Sequence, residues 1–162
     1  MSGAILLVAD YLARNRDLPR SPLLMREVLT ALAKCDGIHG VLSLENRLEP
    51  LGFDYVVLPK VAAVAVLTKM LGGSRDQIIS AVSNAWADGA SLAIYRHGDN
   101  TGPRKSWAAG AAASRAVWLG TARDTRGDEL SIRTVRANVR LPRCRDARQC
   151  AAVSPRVPAT SS

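Results

Sequence analysis

The sequence predicts an all-α fold followed by an irregular or disordered C-terminal tail. Three observations predict it. Apolar residues recur at three- and four-residue spacing through most of the first 117 positions. Aromatic residues make up only 4% of the chain while alanine and leucine abound, which favours helices over sandwiches or barrels. From Trp118 onward the pattern changes: there are nine arginines, no lysine and four acids, with no sustained helical period.

Residues 3–15 place Ile5, Val8 and Leu12 on one helical face. Ser21 followed by Pro22 reads as an N-cap and a first helical position. Leu24, Val28, Leu32 and Cys35 continue that helix until Gly37 closes it. A short third helix is expected over 40–48, ended by Pro50 and Gly52. The helix expected over 54–71 is apolar on nearly every side, so it is the central buried one. Pro59 is tolerated there only in the first turn, and Gly72-Gly73 supplies the stop. Ser74-Arg-Asp-Gln77 is a capping box. The helix it opens should turn Ile78, Ile79, Val82 and Trp86 to the core before Asp88 and Gly89 end it. Residues 91–104 form a loop, and a last helix starts near Lys105. In the tail, 130–139 has a weak alternation suited to one strand.

The formal net charge of +8 would ordinarily suggest a nucleic-acid partner. Most of that excess belongs to the segment after Val117, so a nucleic-acid role is disfavoured and rests on the basic tail alone. The three cysteines lack metal or redox spacing; Cys35, on an apolar helical pattern, reads as a small buried thiol. The apolar start is interrupted by Asp10 and Arg14, unlike a secretory signal, and the run between Lys60 and Lys69 is too short to span a bilayer. No membrane association, metal-ligand cluster or cofactor is expected.

The stretch Tyr95-Arg-His-Gly-Asp-Asn-Thr-Gly-Pro-Arg-Lys-Ser-Trp-Ala-Ala-Gly110 carries the functional information. Its first half is a polar turn and its second half an alanine-rich helix, so Arg104, Lys105 and Ser106 stand where a loop becomes a helix N-terminus. Free N–H groups and the positive end of the helix dipole favour an anion there. A neighbouring arginine and lysine make the place suited to carboxylates.

This stretch, running on to Ser114-Arg-Ala-Val117, closely resembles the signature of the MmgE/PrpD family, within it the 2-methylcitrate dehydratases. Leu12-Ala-Arg-Asn15, Arg26-Glu-Val-Leu-Thr-Ala31, Leu44-Glu-Asn46 and Lys69-Met-Leu-Gly-Gly73 are similar to the family too, so the resemblance covers about 3–117. It implies part of a large helical domain over 1–117 and a separate basic tail over 118–162. It implies a hydro-lyase of propionate catabolism, converting 2-methylcitrate to 2-methyl-cis-aconitate and water. Decarboxylation of cis-aconitate is the alternative within the family. Tryptophan and Ala-Ala-Gly after Lys105-Ser106 favour the dehydratase. A non-catalytic fragment is the alternative from another class.

Under that resemblance Lys105 and His97 are the candidate catalytic residues, and Arg104, Asn100, Thr101 and Ser106 the candidate substrate-binding residues. Lys105 can hold a carboxylate or transfer a proton; it can equally be a surface ammonium. His97 can titrate near neutrality or brace the turn. Asn100 and Thr101 are residues that often cap turns. Trp86 and Trp107 read as core, and Arg115 as a structural ion-pair partner. His39, beside Gly37 and Gly40, reads as a helix-start residue without a catalytic role. Ala111 and Ala113 stand where family members often carry aspartate and threonine. The family's acid–base set also draws on segments outside this match, so the chain by itself is expected to be inactive. The resemblance further implies a tricarboxylate substrate, a homodimer, and a bacterial cytoplasmic location, or a mitochondrial one in fungi.

The tail has a second reading in the genetic code. Codons compatible with 127–141, read one base later, encode Glu-Met-Ser-Tyr-Pro-Ser-Val-Leu-Ser-Ala-Pro-Thr-Cys-Gly-Phe. That peptide resembles the family's next segment, with cysteine where the family has tryptophan. A shift of reading frame near Val117 or Trp118 is therefore expected.

Overall fold

The computed structural model describes residues 1–15, 22–89, 91–96 and 98–122. Within them lie five α-helices: α1 Ser2–Arg14, α2 Met25–Glu45, α3 Val57–Met70, α4 Arg75–Ala87 and α5 Trp107–Thr121. No strand occurs among the described residues; a single bridge pairs Phe53 with Leu92. The all-α expectation holds. α3 is the hub, packed by each of the other four helices. That position explains its composition, since a helix surrounded by helices has no polar face to offer. Leu58, Ala62, Ala63, Val64 and Leu67 are fully buried along it.

α1 buries Ala4, Ile5, Val8 and Leu12, the face its spacing predicts. α2 departs from expectation at both ends. Its N-cap is Leu24, where the Glu27 carboxylate accepts the Leu24 N–H at 2.7 Å. The expected cap Ser21 lies outside the described residues. Gly37 does not close the helix: α2 runs to Glu45 and absorbs the separate helix expected over 40–48. Gly37 has no positive φ and meets nothing. It therefore costs about 1 kcal/mol of helix propensity without supplying the left-handed turn that a stop needs. His39 consequently sits inside α2, not at a helix start.

Pro59 falls in the first turn of α3, where its missing N–H is harmless. The stop after α3 is a Schellman arrangement: Gly73 N–H donates to Thr68 O and Gly72 N–H to Lys69 O. Gly72 takes a φ of 88°, and a Cβ on Gly73 would lie 2.8 Å from the Thr68 carbonyl oxygen, so both glycines are required. The capping box forms as predicted, with Gln77 N–H on Ser74 Oγ and Ser74 N–H on Gln77 Oε1. The face of α4 differs in detail. Ala81, Ser83 and Ala85 are the buried residues, Val82 and Trp86 are partly buried against the core, and Ile78 and Ile79 are intermediate. Small side chains bring α4 close to α3, which displaces the larger ones to the flank.

The same device seats α5. Ala108, Ala112, Ala116 and Gly120 recur every four residues and are all buried. A Cβ on Gly120 would sit 3.3 Å from Leu67 Cβ, so glycine permits the approach. Trp107, expected in the core, is 69% exposed, because the alanine stripe and not the tryptophan faces α3. Cys35 is buried as expected; burial, aided by the Asp36 charge, pushes its thiol pKa up. The boundary expected at Val117 falls within α5, which carries Leu119 and Gly120 into the core. The strand expected over 130–139 and the remainder of the tail lie outside the described residues.

Candidate anion site

The candidate residues lie on the segment joining α4 to α5. Gly89, with a φ of 72°, turns the chain out of α4. Two bonds then strap the segment to the start of α3. Asp54 N–H donates to Ser91 O at 2.8 Å and Ala93 N–H to Gly52 O at 2.9 Å. Three 3-10 turns come next, Ala93–Tyr95, Gly98–Asn100 and Pro103–Ser106, and α5 begins directly after the last. Glycine and proline dictate this course: Gly98 has a φ of 66°, and Pro103 opens the final turn.

Asn100, Thr101, Arg104, Lys105 and Ser106 all lie exposed on this stretch. His97 lies outside the described residues. Arg104 and Lys105 belong to the 3-10 turn before α5, and the N-cap of α5 is Ser106. Lys105 N–H already donates to Gly102 O at 3.0 Å. Anion attraction at this point therefore rests on the guanidinium and ammonium more than on that backbone group. Ser106 Oγ donates to Pro103 O at 3.1 Å, which leaves its lone pairs, not its proton, for a ligand.

Two charged constellations escaped the sequence reading. In the first, Arg96 Nη1 donates to Lys105 O at 2.6 Å while its Nε lies 2.6 Å from Asp54 Oδ2. Asp54 is buried, and its Oδ1 accepts the Val56 N–H at 2.9 Å. The Nε–Oδ2 pair is close but off the hydrogen-bond axis, so it acts through charge.

In the second, Lys60 is only 3% exposed and donates to Asp88 Oδ2 at 3.0 Å and to Gly89 O. Arg115 Nε donates to Asp88 Oδ1 at 2.7 Å, and its guanidinium lies 4.2 Å from the Trp118 ring centre. This bears out Arg115 as an ion-pair partner. Burial pushes the Asp88 carboxyl up, but hydrogen bonds and charge from Arg115 and Lys60 outweigh it and hold the carboxyl below its ordinary value. Together with Val56, Ser91 and Ala111 the triad lines a cleft of about 250 Å³. The available signal was Lys60 itself, a charge set among apolar residues on a helix whose other charge, Lys69, stands in the last turn. Neither constellation has a sequence period, because the partners are 9 to 42 residues apart.

Among the described residues, no group of three or more His, Cys, Asp or Glu residues is placed to hold a metal ion. No helix among them is long and apolar enough to cross a membrane.

Residues 1–124 match the MmgE/PrpD N-terminal domain. The chain belongs to the MmgE/PrpD family. Among its MmgE/PrpD relatives is the 2-methylcitrate dehydratase of Escherichia coli K12, 53% identical over 118 residues, which are 72% of this chain and 24% of that protein. The 2-methylcitrate dehydratase of Cupriavidus necator is 52% identical over 118 residues, with the same two shares. A probable 2-methylcitrate dehydratase of Saccharomyces cerevisiae is 50% identical over 121 residues, 72% of this chain and 23% of that protein. The chain thus spans about a quarter of the length of these MmgE/PrpD relatives.

Proposed function

We propose that the 98–106 turn is one wall of a tricarboxylate site in a hydro-lyase of the 2-methylcitrate dehydratase type. The reaction removes water from 2-methylcitrate to give 2-methyl-cis-aconitate. The observation that carries this reading is the pair Arg104 and Lys105, adjacent and exposed on a turn whose backbone is tied down by Arg96. The level of identity to proteins named for that activity supports it. Arg104, with a planar fork of donors, suits two oxygens of one carboxylate. Lys105, a compact cation, suits a second carboxylate or a proton transfer. Asn100 and Thr101 flank the pair and can hydrogen-bond the substrate hydroxyl, and His97 is the further candidate for proton transfer. The substrate carries three negative charges, and two cations on one turn balance only part of them. The remaining wall must come from elsewhere in a complete enzyme.

This chain alone therefore holds the tricarboxylate weakly and does not turn it over. Incubation with 2-methylcitrate, followed by ultraviolet absorbance of the unsaturated product, tests the second half of that statement. No product over hours is expected. Turnover abolished by Lys105→Ala would show instead that this chain is a complete catalyst.

We propose further that the chain is read out of frame relative to the family from near Val117 or Trp118 onward. The alignments to relatives cover 72% of the chain and the family match ends at residue 124, which supports a loss of resemblance over the last part of the chain. An independently sequenced transcript decides it. Codons for 127–141 that cannot yield Glu-Met-Ser-Tyr-Pro-Ser-Val-Leu one base later would refute the shift.

A further inference from the structure

We propose that Arg96, anchored on the buried Asp54 carboxylate, is the positioning residue for Lys105. This rests on the reading of Lys105 as a carboxylate-holding residue. Asp54 is fixed from three sides: its Oδ1 accepts the Val56 N–H, its own N–H donates to Ser91 O, and its Oδ2 lies against Arg96 Nε. It is 3% exposed, so its charge requires a partner held in place. Arg96 supplies that partner and then reaches onward. Its Nη1 bond to Lys105 O spans nine residues of chain.

Among the described residues, the other bonds of the turn are local. Thr101 N–H to Gly98 O, Lys105 N–H to Gly102 O and Ser106 Oγ to Pro103 O close the turn on itself and do not attach it to the helical block. Attachment comes from Arg96 on one side and from the start of α5 on the other, where Ala108 and Ala112 pack on Val56. The depth of the guanidinium is set by the Asp54 charge and its direction by the Lys105 carbonyl. A guanidinium can serve both at once because its charge is spread over the whole plane beside Asp54 while Nη1 still donates along a fixed line to the Lys105 carbonyl. An ammonium at this position can reach one or the other. Without the bridge, the 103–106 turn hinges at Trp107, and Lys105 and Arg104 lose their common orientation.

The test compares amide hydrogen exchange in the unsubstituted chain, Arg96→Lys, and the double variant Asp54→Asn/Arg96→Gln, all without ligand. The double variant removes both charges and so guards against unfolding caused by an unpaired Asp54. Exchange over 104–106 is expected to rise about tenfold in both variants, the equivalent of losing about 1.4 kcal/mol of local protection. Exchange within α3 and α4 is expected to stay unchanged in the double variant. Protection of 104–106 equal to that of the unsubstituted chain in the double variant would overturn the proposal. A second arm measures tricarballylate affinity by NMR titration, where Arg96→Lys should weaken binding about tenfold. Faster exchange in both variants upholds the bridge even where the unsubstituted chain fails to bind tricarballylate. That failure would count against the proposed function alone.

Discussion

α3 and the segment from Ser91 to Ser106 are held by opposite means. Eleven of the fourteen α3 residues are buried, and four helices pack on them. The 91–106 segment is three short turns, and the last two bury no residue. Among the described residues, its place is set by a few polar bonds to the start of α3 and by one arginine. Stability is therefore spread over many contacts in the first region, while geometry depends on a few in the second. Substitutions in α3 should cost folding free energy. Those in the turn should cost ligand affinity while leaving folding nearly untouched.

The largest effect is expected at Leu67. It is fully buried on α3 and touches the Gly120 approach of α5. Leu67→Ala should destabilise the fold by about 2–5 kcal/mol, read from urea unfolding. A loss below about 1 kcal/mol would mean that the core is far looser than its burial implies.

Asp88 comes next, because it balances the buried Lys60 from the edge of the core. Asp88→Ala should cost about 3 kcal/mol by stranding that ammonium. Lys60→Met, which removes the charge and keeps the stem, should cost much less. The Asp88 carboxyl is held below its ordinary value in the folded chain, so its stabilisation is present above the ordinary carboxylate pKa. It should fade as pH falls below about 4, and Asp88→Asn should flatten that acid limb. An acid limb unchanged in Asp88→Asn would remove the triad from the account of stability.

A smaller effect is expected at the α4 capping box. Ser74→Ala removes the hydroxyl that accepts Gln77 N–H and should cost about 1 kcal/mol in the same unfolding assay. No change would mean that water replaces the cap at this exposed end. Smallest in stability are Arg104→Gln and Lys105→Gln, each expected within about 0.5 kcal/mol of the unsubstituted chain.

Legibility in the sequence divides the same way. Local chemistry was legible: the Ser74 box, the Gly72-Gly73 stop and the apolar periods of α1 and α3 are written in neighbouring residues. Gly37 was misleading because a glycine stops a helix only when it takes a positive φ, and that depends on whether the residues after it can continue the helix. Trp107 was misread because size suggested burial, whereas close helix packing selected the alanine stripe. The 98–106 turn was legible as a motif, since glycine, proline and adjacent cations mark it. Its support, Asp54–Arg96, was not: like Lys60–Asp88–Arg115, it is a tertiary pairing, invisible to any local period.

The most direct test of this division is an NMR titration of the chain with 2-methylcitrate, paired with urea unfolding of the same samples. Saturable shifts are expected over 98–106, with affinity falling about tenfold in Lys105→Gln and in Arg104→Gln, while the unfolding midpoints hold. Shifts centred instead on the Lys60–Asp88–Arg115 cleft or on the arginines after Trp118, or affinity indifferent to Lys105→Gln, would contradict the assignment of the turn as the tricarboxylate wall.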